Sequence, residues 1–299
     1  MFISFLFPVI CAGQEYVNIF KLGYGQTLKN KFKEVDASTT VTSFDSGLTL
    51  PIQINTAQAV ITGFDFSYSR LQLFPDAEFT NLFSTTMPLG LASKWSDKWS
   101  TTFVLLPKMA SDYRNISSND FYLGALALLK LKKNENLLFR FGFYGSQESF
   151  GLFTTPIIGW YYKSSNNRFE MDMSLPIAAD INYKLGNTTL GMDYFGIGRS
   201  YNVHYANAPT LYADLSSLEF ATYIQFNLAK ESVLLKTKLG YSSNDYQMYA
   251  QGDKMELGVS AFSFGDDRTQ LNPSLRGSVF VRLEFIYRYH FHKSISDER

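Results

Sequence analysis

Cysteine is nearly missing from this chain: Cys11 is the only one in 299 residues, which excludes an internal disulfide and any multi-cysteine metal site. Histidine is almost as scarce, with His204, His290 and His292 alone. Past the first dozen residues there is no apolar run long enough to span a bilayer as a helix. Charged residues make up only 18%, and 27 Lys plus Arg face 27 Asp plus Glu, so no net field points to nucleic acid or a strongly charged partner. Gly-rich phosphate loops and HExxH or GxSxG motifs are also missing.

Aromatic residues are abundant. Twenty-seven Phe and 19 Tyr raise the aromatic share to 16%, while the mean hydropathy is only −0.10. That combination suits strands that turn one face to lipid and the other to water. The stretch 278–292, SVFVRLEFIYRYHFH, shows it most plainly. Val279, Val281, Leu283, Phe285, Tyr287, Tyr289 and Phe291 fall on one face; Arg282, Glu284, Arg288, His290 and His292 fall on the other, with Ile286 the apolar exception. At roughly 3.3 Å per residue the stretch is about 45 Å long, and a tilted strand crosses a bilayer in about 9–11 residues. Lipid leaves no partner for an open sheet edge, so such strands must close into a barrel.

The same alternation recurs along the chain. Phe64, Phe66 and Tyr68 oppose Gly63, Asp65 and Ser67; Phe139, Phe141 and Phe143 oppose Arg140, Gly142 and Tyr144; Phe169, Met171, Met173 and Leu175 oppose Glu170, Asp172 and Ser174. Short links at 55–57, 96–98, 132–136, 164–168, 186–187 and 229–231 alternate with longer ones near 29–37, 72–78, 110–120, 197–215 and 242–253. Short turns at one end and long loops at the other are the barrel pattern. The expected fold is all-β, a transmembrane antiparallel β-barrel of about 14 strands, with 12 to 16 open. Strand parity fails around Pro176 and again at 265–276, where the stretch 255–264 is read as one more strand.

The start, MFISFLFPVICAGQ, reads as an export signal over 1–13 without a basic leading region, Cys11 and Gly13 standing as the cleavage pair; a buried first strand and a lipidated cysteine are the alternatives. The barrel is then expected over 14–292 and a tail over 293–299.

The text of 57–203 resembles an uncharacterised family of bacterial outer-membrane β-barrels that carries a domain of unknown function. The segments that carry the likeness are FVLLPKMASD, NDFYLGALALLKLKKNENLLFRFGFYGS, FGLFTTPIIGWYYKSSNNRFEMDMSLPIAADINYKL and FGIGRSYNV. Its anchors are Leu106-Pro107-Lys108, Pro156 to Gly159, and Leu175-Pro176 followed by Asp180. The resemblance implies the fold and the bacterial outer membrane, and it brings no catalytic residues. Barrels of that kind commonly end on an aromatic residue, whereas this chain continues past Phe291.

On this reading the polar strand faces line the lumen: Arg140, Glu170, Asp172, Lys184, Glu219, Lys236, Lys238, Glu256, Arg282, Glu284 and Arg288, together with Asp65, Asp180 and Asp193. Acids and bases are nearly matched, which fits either a plugged lumen or a weakly selective pore. The like-charged pairs Glu170/Asp172 and Lys236/Lys238 need opposite charges from neighbouring strands. Ser200 and His204 form the only arrangement resembling a nucleophile and its base, in irregular sequence that fixes no geometry. His290 and His292 share a face without a third ligand, so a structural role is the simpler reading. The expected role is passive solute passage or a structural element of the membrane, with no enzyme activity and no cofactor. Its partners are then the lipid bilayer and small solutes, not nucleic acid. An outer-membrane hydrolase or acyltransferase, and a secreted soluble β-protein, are the alternatives.

Overall fold

The computed structural model describes residues 16–205 and 210–290. The expected signal segment 1–13, Phe291, His292 and the tail 293–299 lie outside the described residues. Antiparallel staves run in chain order: β1 (Tyr16–Thr27), β2 (Thr42–Gln53), β3 (Gln58–Leu71), then β4 in two pieces (Thr80–Thr86 and Leu89–Lys94). They continue through β5 (Trp99–Ser111), β6 (Phe121–Asn134), β7 (Leu137–Glu148) and β8 (Gly151–Lys163). Next come β9 (Phe169–Leu175), β10 (Ala178–Leu185), β11 (Thr188–Val203) and β12 (Leu211–Leu228). Last are β13, again in two pieces (Val233–Ser242 and Asp245–Ala250), and β14 (Ser278–His290). Each stave pairs with its successor, and β14 pairs with β1 from Tyr16↔His290 to Thr27↔Phe280, closing the cylinder. The pairing runs round the whole cylinder, as a wall in lipid requires. No helix among the described residues is long and apolar enough to cross a membrane.

The period of two sorts the side chains. On β13 and β14, Leu235, Leu239, Val281 and Leu283 are exposed, while Lys236, Lys238, Arg282 and Glu284 are buried. Phe103 and Leu105 on β5, Phe141 and Phe143 on β7 and Phe220 and Ile224 on β12 continue the exposed apolar face. This is the reverse of a soluble sandwich, whose apolar face points inward.

The fourteen staves match the expected number, yet 255–264 is not one of them. It contributes only a small hairpin, Leu257–Val259 with Phe262–Phe264. The hairpin pairs in parallel with β8 at Leu152↔Leu257 to Thr154↔Val259. Its place follows from the length of its neighbours. β9 and β10 have only 7 and 8 residues and meet at a tight turn over 176–177. Strands that short stop below the height that about 9–11 residues reach. Above the turn, the upper parts of β8 and β11 have lost their neighbours, and the hairpin covers the β8 edge. The turn explains the parity break at Pro176.

The other free edge, on β11, bends into the barrel. Ser200 and Asn202 have outward parity but are fully buried, and β11 makes a parallel bridge to β5 at Asn202↔Ser111. The expected long loop at 197–215 is therefore largely strand: β11 runs to Val203 and β12 begins at Leu211. This inturned hairpin carries Tyr201, Val203, Ala213 and Leu215 into an apolar cluster with Leu71, Leu82, Ala110, Tyr246 and Met248, capped by Phe32, Val41 and Leu275 from the loops. A second apolar cluster fills the wall of β3 to β8: Ile61, Val104, Leu126, Leu128 and Ile157 pack against Ile177 and Phe195. The polar interior is left to β9–β14 and β1.

Candidate functional site: a charged vestibule and its neck

A cavity of about 500 Å³ occupies that polar half. Residues of the short turns, among them Asn167, Arg168, Lys230 and Glu231, lie at its mouth. Ten of the residues expected in the lumen line it: Glu170, Asp172, Asp180, Lys184, Asp193, Glu219, Lys236, Lys238, Arg282 and Arg288. Arg140 and Glu284 stand just behind the lining, 2% and 3% exposed. Glu256 does not belong. It is exposed in the loop before the small hairpin, because 255–264 is a wall insert and not a stave.

The like-charged pairs meet partners on other strands. Lys238 lies 2.5 Å from Asp193 on β11 and 3.0 Å from Glu284 on β14, which also meets Lys21 of β1 at 3.3 Å. Lys236 sits 3.6 Å from Asp180 and 3.7 Å from the centre of the Tyr223 ring. Asp172 accepts from Arg140 at 2.8 Å, whereas Glu170 accepts from the Tyr16 hydroxyl at 2.7 Å. Arg288 donates to Asn18 at 2.8 Å and lies over the Tyr16 ring, and Lys184 pairs with Glu231 at the mouth. Asp180 of β10 and Asp193 of β11 therefore face the two lysines of β13, while Asp172 of β9 faces Arg140 of β7. Lys21 was missed in the sequence because β1 reads weakly; its signal is the alternation of Phe20, Leu22 and Tyr24 with Lys21, Gly23 and Gly25.

Above the vestibule lies a second, smaller cavity of about 50 Å³, edged by Ser43, Ser67, Ser69, Ser217 and Ser242. The two share four residues: Phe195, Glu219, Phe280 and Arg282. Arg282 Nη1 donates to Glu219 at 3.1 Å and Nη2 to Ser43 Oγ at 3.3 Å, so an ion pair spans the neck between them. Gly25 makes room for it, since a Cβ there would lie 2.9 Å from Arg282 Nε. Beyond the upper cavity stands the apolar cluster around Tyr201, Leu215 and Tyr246.

What holds the inturned strand is a set of carboxylates. Ser200 N–H and Oγ both donate to Glu148 Oε2 at 2.8 Å, and Lys108 meets Glu148 Oε1 at 2.6 Å. Asn202 Nδ2 donates to Asp120 at 2.7 Å, and Asp112 accepts from the His204 N–H at 2.9 Å. Ser200 and His204 are thus not brought together. The serine hydroxyl serves Glu148, and His204 Nδ1 lies 2.8 Å from Asp112. His290 Nε2 stands 3.3 Å from the Glu231 carbonyl, and no metal-binding group of three acidic, cysteine or histidine side chains exists among the described residues. Outside the wall, Arg268 grips Asp266 with two hydrogen bonds at 2.8 and 2.9 Å and Asp214 with a third at 3.0 Å. That fork holds the Asp266 carboxyl below its ordinary value.

A closed cylinder of alternating strands, apolar outside and charged within, defines a transmembrane β-barrel of the outer-membrane type. The chain belongs to the family described as Domain of unknown function (DUF6268), whose model matches residues 11–251. No curated protein matches it. Solved structures similar to it include the TodX monoaromatic hydrocarbon channel as a deltaS2 mutant, at 9% identity over 92% of this chain and 90% of that one, with a TM-score of 0.45. The NanC porin is 12% identical over 90% and 98% with a TM-score of 0.34. OprB of Pseudomonas putida is 8% identical over 93% and 94% with a TM-score of 0.33.

Proposed function

We propose that this protein is a gated outer-membrane channel for small polar solutes, closed at rest by the inturned hairpin of β11 and β12. The carrying observation is the polar route: the vestibule, the Glu219–Arg282 neck and the serine-edged cavity follow one another and end at one apolar plug. A purely structural barrel has no use for a cavity of about 500 Å³ lined by charge. Short turns face the periplasm in barrels of this kind, so the vestibule opens there and the plug faces outward. Among the described residues, Ser200 and His204 are engaged by Glu148 and Asp112 and do not form a nucleophile and base. Planar-bilayer recording of the refolded protein tests the reading. Wild type should open rarely, and variants that free the hairpin should open often. A correctly folded barrel that stays silent in both forms would leave only the structural role.

A further inference from the structure

The inward face of β6 is apolar for most of its length, with Leu126 and Leu128 in the core, and then turns basic at Lys130. Lys130 is 1% exposed, and its Nζ has no hydrogen-bond partner among the described residues. Its neighbour across the ladder is Arg140 on β7. Arg140 reaches over Gly159 of β8, where a Cβ would lie 3.0 Å from its Cγ, and donates to Ser174 Oγ at 2.9 Å and Asp172 Oδ1 at 2.8 Å on β9. Two buried cations therefore stand side by side, with Asp172 between them and the cavity.

An ammonium group kept from water without a hydrogen-bonded counter-charge is destabilising by several kcal/mol. The other acids of the vestibule do not supply one, for each has a partner of its own. Glu170 takes the Tyr16 hydroxyl, Asp180 takes Tyr223 and Asn182, and Asp193 takes Lys238. The vestibule as a whole is lined by nine Lys and Arg against six Asp and Glu. Arg168 and Lys230 stand at the mouth, where positive charge draws anions inward.

We infer that the vestibule takes a small solute through an oxyanion, a carboxylate or a phosphate, which docks at Ser174 against Arg140 and supplies the hydrogen-bonded counter-charge that Lys130 lacks. Ser174 and Asp172 are part of the cavity wall, so an anion there is within one hydrogen bond of the guanidinium. The inference deepens the channel reading, on which only its consequence for transport rests.

Calorimetric titration of the refolded full chain with inorganic phosphate, and separately with succinate, tests the site at low salt. Saturable binding of at least one of them is expected, and the tighter of the two names the solute class. Lys130→Met should weaken it at least about tenfold, as loss of a charge-assisted contact does. Lys130→Arg should restore it, and Ser174→Ala, which leaves every charge in place, should weaken it less. Heat-dependent gel mobility reports that each variant has folded. Failure of both anions to bind the wild type, or equal affinity in Lys130→Met, overturns the site. Reversal potentials separate the two claims. Anion binding by a barrel that never conducts overturns the channel and leaves the site, whereas conduction that favours cations overturns the site and leaves the channel.

Discussion

Ser200 and Glu148 meet twice, the serine giving both its backbone N–H and its hydroxyl to the same carboxylate oxygen at 2.8 Å. A side chain on β7 thereby replaces the strand that β10 is too short to provide. The inturned hairpin is held by such replacements, and each is a point at which it can be released.

Glu148→Gln keeps the shape but removes the charge that holds Lys108 and strengthens both bonds to Ser200. Leaving Lys108, its side chain only 12% exposed, without its partner should destabilise the barrel by about 3 kcal/mol. Denaturant unfolding measures that loss, and bilayer recording should show more frequent openings. A variant as stable and as silent as wild type would mean that Glu148 does not anchor the hairpin.

The neck should limit the current once the hairpin is free. Replacing both partners, Glu219→Ala with Arg282→Ala, removes the two charges of the pair together with the bulk between the two cavities. In the Glu148→Gln background the unitary conductance should rise by about half or more, as expected when a constriction of charged side chains sets the flow. An unchanged conductance would place the limiting step elsewhere.

Leu283 stands 57% exposed in the middle of β14 on the apolar outer face. If that face is in lipid, Leu283→Arg should lower stability by about 2–4 kcal/mol, as a charge does at the bilayer midplane. Urea unfolding in lipid vesicles gives the value. A loss below about 0.5 kcal/mol would argue that this position is in water.

The loop over the outer side of the hairpin should respond to acid in one direction. The carboxyl of Asp266 is held below the ordinary aspartate value of 3.8 by the Arg268 fork. A depressed carboxylate contributes its stabilisation fully above the ordinary value and loses it as pH falls through the lowered one. Protease resistance of the 265–272 segment should therefore be flat from neutral pH down to about 4 and drop below it. Asp266→Asn should show the reduced resistance at every pH.

The barrel and its number of strands were legible because period-two patterning is written residue by residue, as in the alternation of Leu283 and Phe285 with Arg282 and Glu284. The stretch 255–264 misled the reading because an apolar hairpin that patches a wall has the same composition as a stave. The reach of β11 to Val203 was hidden for the opposite reason. Both faces of its end are buried, so Ser200 and Asn202 stand where apolar residues would mark a lipid-facing strand. Ten of the fourteen expected lining residues fall on the vestibule, since inward parity is local. Lys130 and the Glu148 anchors were not legible, because their meaning depends on strands far apart in sequence.

The most direct test fixes the hairpin covalently. Asn202 of β11 and Ser111 of β5 are bridge partners, and both are fully buried. In a Cys11→Ser background, Asn202→Cys with Ser111→Cys puts a disulfide across that bridge, and single-channel conductance is recorded before and after reduction. The oxidised barrel should be silent, and the reduced one, lacking the Asn202 anchor, should open in reproducible steps. Equal conductance in both redox states, whether open or silent, would contradict a channel gated by this hairpin.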